Sequence, residues 1–184
     1  MRRIARAVWL AAALALTLGR SLAVAAAPCW EPPVDAAVVD PFRAPACPWC
    51  PGNRGISFGT PPGTAVRAVA AGRVTFAGPV AGVVYVVVEV ADARRVTYGN
   101  LAGLNVVVGA AVVAGMLLGR TAGEFHLGLR GPDHAGADTY RDPTGLLGVW
   151  RFPLRLVPVE GPAPPAPSRT LACGSSAGAT PDSV

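Results

Sequence analysis

Lysine is absent from this chain of 184 residues, and all sixteen of its basic residues are arginine. A chain without lysine cannot carry a lipoyl or biotinyl group or form a Schiff base with a carbonyl substrate. Histidine is almost as scarce, since His126 and His134 are the only two. A zinc site built from three histidines of one chain is therefore excluded.

Charged residues are few as well, at 15% of the chain against 52% hydrophobic residues, which excludes a chain that is disordered throughout. The length suits one domain with tails. The net charge of +5 is dispersed, and no basic run follows the N-terminus. Nucleic acid is therefore not a predicted partner, whereas an anionic polymer such as a cell wall would suit the charge.

The first 27 residues have the pattern of a secretory signal peptide. Three early arginines precede an apolar stretch from residue 7 to residue 18, and small residues follow, with cleavage after either Ala25 or Ala27. The apolar stretch is short for a membrane anchor. We therefore expect a secreted or cell-envelope protein that meets the membrane only during export.

An even number of cysteines in an oxidising compartment predicts disulfides. The candidates are Cys29, Cys47, Cys50 and Cys173, and the sequence does not choose among their three pairings. Cys47-Pro-Trp-Cys50 also has the spacing of a redox dithiol, although no βαβ unit follows it. Metal binding by these thiolates is a further alternative.

Short strand-like runs separated by glycines fill the body of the chain and predict an all-β sandwich or barrel. Glycines such as Gly103 and Gly119 are predicted to mark turns or bends, and no amphipathic helix is predicted. The expected organisation is a signal peptide (1–27), a β domain (28–150) and a flexible Pro/Ala/Ser-rich tail (151–184). The candidate strands are Val66–Ala70, Gly72–Ala77, Val83–Val90, Arg94–Tyr98 and Phe125–Arg130.

Several short segments follow one another in a specific order. After the opening Val39-Asp-Pro-Phe42, the chain reads Pro51-Gly-Asn-Arg-Gly-Ile-Ser-Phe58 and then Thr97-Tyr-Gly-Asn-Leu101. A glycine-rich phrase, V-G-x-x-V-x-x-G-x-x-L-G, runs from residue 108 to residue 119. Phe125-His-Leu-Gly-Leu-Arg130 and Tyr140-Arg-Asp-Pro143 complete the series. Lipoyl carriers share the glycine-rich phrase, but they need the lysine that this chain lacks.

Taken in order, these segments resemble the lysostaphin-type (LytM-like) peptidoglycan metalloendopeptidases, and most of all a compact secreted group from high-GC actinobacteria. The resemblance covers most of the chain from residue 32 to about residue 147. It implies an antiparallel β-sandwich or open barrel of the duplicated hybrid motif type, with flexible N- and C-terminal extensions.

The resemblance also implies a zinc ion, held by the His and Asp of H-x-x-x-D and by the second His of H-x-H, that polarises the scissile carbonyl and activates water. Here Asn53 and Ser57 stand at the first two ligand positions, and only His126 matches the third. Amide and hydroxyl groups are not the ligands that zinc prefers. We therefore expect a degenerate site with no cofactor. Glu124 and Asn100 stand where many relatives have further histidines.

Two other segments of the sequence contain residues of the types that bind zinc. His134-Ala-Gly-Ala-Asp138 spells H-x-G-x-D, but it follows the final strand motif and is predicted to be a solvated loop. Cys47 and Cys50 could join His126 as ligands only as thiolates, and a disulfide would remove them.

The main hypothesis is a secreted, catalytically inactive peptidase-like domain that binds peptidoglycan or regulates a cell-wall hydrolase. Arg54, Tyr98, Asn100 and Glu124 are expected to line its groove. The alternative is an active zinc metalloendopeptidase that cleaves peptidoglycan peptide cross-links with an atypical ligand set. A third hypothesis is a thiol-disulfide protein that acts through its CPWC segment.

Overall fold

The computed structural model describes residues 29–47, 49–133, 135–151 and 168–173. The predicted signal peptide, His134 and most of the predicted tail lie outside the described residues. In the described part of the chain, a single 3₁₀ turn, η1, is the only helical element, and no helix there is long and apolar enough to cross a membrane. The elements are β1 (Val38–Asp40), β2 (Gly55–Phe58), β3 (Ala65–Arg67), β4 (Gly72–Val80), β5 (Val83–Val90), β6 (Arg94–Leu104), β7 (Ala111–Val112), β8 (Leu117–Pro132), β9 (Asp138–Arg141), η1 (Thr144–Leu146), β10 (Val149–Arg151) and β11 (Thr170–Ala172).

Nine of these strands form one antiparallel sheet in the order β1-β2-β8-β6-β5-β4-β7, and β3 and β9 also pair with β8. The 16-residue β8 organises the sheet. It pairs with β6 along one edge and with β3, β2 and β9 in turn along the other. The all-β antiparallel fold expected from the sequence is confirmed.

Strand β8 separates core from surface by simple alternation, because successive side chains of a strand point to opposite faces. Phe125, Leu127 and Leu129 are buried in the core. Glu124, His126 and Arg130 have the opposite phase and are partly or fully exposed. Candidate site residues on this strand therefore lie on the outer face of the sheet.

Tyr98 does not line a groove, and its assignment to the binding surface is wrong. It pairs with Leu127, whose side chain points to the core, and it is completely buried. Its hydroxyl oxygen accepts a hydrogen bond of 2.9 Å from the backbone N–H of Val69. Burial raises the pKa of the Tyr98 hydroxyl far above its ordinary value. The alternation instead places Thr97 and Gly99 on the outer face.

The strands are longer than the sequence predicted, except that β5 has its predicted bounds and β3 is shorter. Gly103 and Gly119 do not mark turns; they lie inside β6 and β8. A Cβ atom at Gly119 would overlap the carbonyl oxygen of Gly103. Glycine is therefore needed there for close approach of two backbones, which a search for turns does not distinguish.

Two disulfides join the cysteines, Cys29 with Cys173 and Cys47 with Cys50. The prediction of disulfides is confirmed, and the pairing is now defined. Residues 170–172 form β11, which pairs with β10, and Arg169 stacks 4.1 Å above the Trp150 ring. Part of the predicted tail thus forms a strand in a separate two-stranded sheet, and the predicted domain boundaries stay a prediction. A redox role for the Cys47–Cys50 pair stays a prediction.

Candidate functional site

A row of five residues crosses the outer face of the sheet at the position of His126. The register of the strands aligns Tyr85, Gly99, His126, Ser57 and Asp40, one each from β5, β6, β8, β2 and β1. We call these five residues the histidine row. The row brings one of the expected ligand positions, Ser57, directly beside His126.

Glycines on three strands make room for the imidazole of His126. A Cβ atom at Gly55 would lie 2.8 Å from Cε1 of the ring, and one at Gly128 would lie 3.6 Å from Nε2. A Cβ atom at Gly99 would lie 3.5 Å from Cβ of His126 and 2.8 Å from the ring of Tyr85. The imidazole therefore lies in a recess that larger residues at these positions would fill.

Asn53, at the first expected ligand position, is bound within the chain. It is only 8% exposed, and its Nδ2 donates to the carboxylate of Asp40 at 2.9 Å and to the Pro41 carbonyl at 3.2 Å. Its Oδ1 accepts a hydrogen bond of 3.3 Å from the Gly55 backbone N–H. The guanidinium of Arg43 forms an ion pair with the same carboxylate of Asp40. Both polar atoms of the Asn53 side chain thus have partners from this chain.

The remaining predicted site residues take different positions. Ser57 is 7% exposed and faces His126 across the β2–β8 pair. Glu124 is exposed and precedes His126 by two residues on the same face of β8. Asn100, which has a left-handed backbone with φ of 63°, donates from Nδ2 to the Glu124 carbonyl at 2.5 Å. Its side chain therefore ties β6 to β8 at the edge of the site.

Asp40 belongs to this site, and sequence reasoning did not single it out. The only sequence signal was that Asp40 lies in the opening segment Val39-Asp-Pro-Phe42. That segment does not indicate the contact between Asp40 and Asn53. The hydrogen bond from Arg43 is the main cause that lowers the pKa of Asp40 below its ordinary value. Burial acts to raise this pKa, whereas Asn53 and His126 act to lower it further. The carboxylate is therefore held in its charged form.

Burial lowers the pKa of His126 below its ordinary value, although the carboxylates of Glu124 and Asp40 act to raise it. Folding thus favours the neutral imidazole. Because the unfolded chain takes up a proton at a higher pH than the folded chain, the contribution of His126 to stability is complete above the ordinary pKa of 6.5 and decreases as the pH falls below it.

We expect NMR titration of the His126 ring to give a midpoint below 6.5. Replacing Glu124 with Gln is expected to lower the midpoint further, because it removes a carboxylate that favours the charged ring. The spectrum of the His126→Gln variant assigns the signal. A midpoint at or above 6.5, or an upward shift in Glu124→Gln, would contradict the described environment.

The side chains at this position do not fit a zinc ion. A catalytic zinc needs three protein ligands of imidazole, thiolate or carboxylate type and one open position. His126 offers an imidazole, but Ser57 offers a hydroxyl, and the amide of Asn53 is engaged by Asp40 and Gly55. Among the described residues, no group of three His, Cys, Asp or Glu side chains could hold a metal.

A groove of about 410 Å³ opens beside the histidine row. Its floor continues across the sheet to a second row, in which Arg95 of β6, Arg130 of β8 and Tyr140 of β9 are in register. Arg54, a predicted groove residue, also lines it, and so does His126. We call Arg54, Arg95, Arg130 and Tyr140 the arginine cluster.

Aromatic and ionic contacts hold the arginine cluster together. The guanidinium carbons of Arg54 and Arg130 lie 5.6 Å and 5.3 Å from the centre of the Tyr140 ring. The carboxylate of Asp138 pairs with Arg95 and, at 3.1 Å, with Nε of Arg130. Sequence reasoning found only Arg54, because the other members come from three strands that are distant along the chain.

Comparison with known proteins gives the class of the domain. Residues 51–128 match the family model of peptidase family M23. Csd3 of Helicobacter pylori is similar in structure, with a TM-score of 0.55 and 21% identity over 65% of this chain and 35% of that chain. The catalytic domain of lysostaphin from Staphylococcus simulans has a TM-score of 0.50 and 22% identity over 59% of this chain and 90% of that chain.

The catalytic domain of EnpA, a prophage-encoded M23 protein of Enterococcus faecalis, is similar too, with a TM-score of 0.50 and 22% identity over 64% of this chain and 95% of that chain. At these identities the structural likeness shows the fold. The chain spans about a third of the length of the Csd3 structures that it matches. No curated protein matches the chain at a significant level.

The antiparallel sheet with His126 on its outer face therefore defines a β domain of the lysostaphin-type (LytM-like) class, and the resemblance seen in the sequence is confirmed. The match to the model of peptidase family M23 is confined to residues 51–128.

Proposed function

We propose that this chain is a secreted, catalytically inactive domain of family M23 that binds peptidoglycan with the outer face of its sheet. The observation that carries the proposal is the engagement of Asn53 by Asp40 at the expected metal position. The NH₂ group that bonds to Asp40 is a donor that cannot coordinate a cation, and the amide oxygen already accepts a hydrogen bond from the Gly55 backbone N–H.

Electrostatics at the same position also oppose a metal. Arg43 places a guanidinium on Asp40, the carboxylate nearest to the Asn53 amide. A divalent cation there would have to compete with this positive charge for the carboxylate. Without the metal, the domain lacks the group that polarises the scissile carbonyl and activates water in metallopeptidases.

The groove supports a binding function in the absence of catalysis. It remains open, with His126 at one end and the arginine cluster at the other. Peptidoglycan is the proposed ligand because the ordered sequence segments resemble the lysostaphin-type peptidoglycan metalloendopeptidases and the fold is similar to the lysostaphin catalytic domain. Secretion is proposed from the predicted signal peptide, and the two disulfides suit an oxidising compartment.

Cosedimentation with purified cell-wall sacculi tests the proposal. The mature chain is expected to pellet with sacculi, and the fraction that pellets is expected to be unchanged by a chelator because no metal takes part. The control variant is Arg120→Gln. Arg120 lies on β8 outside the groove, where its side chain donates a hydrogen bond to the Gly63 carbonyl. Protein that stays in the supernatant and captures no secreted cell-wall hydrolase would overturn the proposal; capture of a hydrolase alone would replace peptidoglycan with that partner.

One observation favours the metallopeptidase alternative. The carboxylates of Asp40 and Glu124 both act electrostatically on His126, so two acidic groups lie near the single imidazole. In that alternative, Asp40 would have to leave Arg43 and Asn53 to bind zinc. Stoichiometric zinc in the native protein, lost on replacement of His126 with Ala, would support it.

A further inference from the structure

The groove has a charge character that the proposed peptidoglycan binding does not by itself explain. Three arginines line it, and the described residues that line it include no carboxylate. Arginine presents several donors in a planar fork that matches a carboxylate. This end of the groove is therefore suited to bind anionic groups.

The chain itself supplies one such group. Asp138 begins the exposed edge strand β9, and its carboxylate lies against Arg95 and Arg130. The side chains of Arg95, Arg130 and Asp138 remain 42%, 45% and 40% exposed. Ion pairs with this exposure contribute little to stability, so an incoming carboxylate can displace Asp138 at small cost.

The walls beside the arginines are suited to a peptide. Tyr140 lies near the guanidinium groups of both Arg54 and Arg130, and Tyr85 and Val87 also line the groove. Such a surface contacts apolar side chains and peptide planes as well as charge. A phosphate polymer would use the arginines but would leave the aromatic and valine walls without partners.

We infer that the arginine cluster binds a peptide that carries a carboxylate. In the free protein, the side-chain carboxylate of Asp138 occupies the position that the peptide carboxylate takes in the complex. This inference rests on the proposed function, since it names the part of the ligand that the groove recognises. In this assignment, Arg95 and Arg130 bind the carboxylate of the peptide. Tyr140 and Tyr85 contact its apolar part. Asp138 competes with the peptide carboxylate for the two arginines.

Titration calorimetry with two synthetic peptides tests this assignment. One probe is N-acetyl-Ala-Glu-Ala-Ala with a free C-terminus, and the other is its neutral counterpart with Gln and an amidated C-terminus. The acidic peptide is expected to bind about tenfold more tightly than the neutral one, and Arg95→Gln with Arg130→Gln is expected to remove that difference. The control Arg120→Gln should bind like the native protein.

The Asp138→Asn variant gives the result that a merely structural role would not produce. It removes the competing carboxylate, so the acidic peptide is expected to bind about threefold more tightly, whereas the loss of a structural ion pair would weaken binding. Weaker binding in Asp138→Asn, equal binding of the two peptides, or no binding of either peptide would overturn the inference. Binding of inorganic phosphate as tight as that of the acidic peptide would overturn the assignment to a peptide.

The two proposals fail in different ways. If sacculi still bind the native protein but the acidic peptide has no advantage, the carboxylate assignment is wrong and the peptidoglycan-binding function stands. If the acidic peptide binds selectively but sacculi do not bind, the assignment of the arginine cluster to a carboxylate stands. Peptidoglycan is then not the ligand that carries this carboxylate.

Discussion

Replacing Asn53 with His and Ser57 with Asp is expected to create a zinc site beside His126. The two substitutions supply an imidazole and a carboxylate beside His126, which faces position 57 directly across the β2–β8 pair. Two imidazoles and one carboxylate are a complete set of protein ligands for a catalytic zinc. We expect about one zinc per chain, with a dissociation constant of about 0.1 µM, measured by competition with a chromophoric chelator.

Four further variants accompany this experiment. Each single substitution leaves the set one ligand short and should bind zinc about 100-fold more weakly. Adding His126→Ala to the double variant should have the same effect. Adding Arg43→Gln should strengthen binding, because it removes the positive charge that holds Asp40. A folded double variant without zinc would contradict the placement of these residues around one point.

Replacing Gly55 with Ala is expected to cost about 3 kcal/mol of unfolding free energy. The new Cβ atom would overlap the Leu127 carbonyl oxygen and would lie 2.8 Å from both Cα of Gly128 and Cε1 of His126. Two of these three atoms are backbone atoms of the central strand β8, so the clash cannot be relieved by a side-chain rotation. Urea-induced unfolding measures the loss.

Gly123→Ala is the matched control, since its Cβ atom would meet nothing within 4 Å. Gly123 lies on the same strand, β8, and its backbone is not in the left-handed region. We expect its unfolding free energy to stay within about 0.5 kcal/mol of that of the native protein. Equal losses for the two variants would mean that β2 does not pack against β8 as described.

The fold could be anticipated from the sequence because its signals are local. Alternating apolar runs and the ordered segments from residue 51 onward indicated an all-β domain of this class, and β5 was predicted with its observed bounds. Strand lengths could not be anticipated in the same way. Gly119 allows close contact between β6 and β8, and a sequence does not distinguish such a glycine from one in a turn.

The site was predicted less completely, because it depends on pairings between distant segments. The register between β6 and β8 decides that Tyr98 points to the core, and it also brings Arg95 beside Arg130. The contact of Asp40 with Asn53 joins residues 13 positions apart through a side-chain hydrogen bond. None of these contacts leaves a periodic pattern in the sequence.

The release of new amino groups from sacculi by the zinc-supplemented native protein is the most direct test of the proposal that this peptidase-like domain is catalytically inactive. An active M23 peptidase serves as the positive control. We expect no release above that of the His126→Ala variant, because Asn53 and Ser57 do not complete the ligand set around His126. Release by the native protein that is abolished in His126→Ala would contradict the claim and would establish a working peptidase.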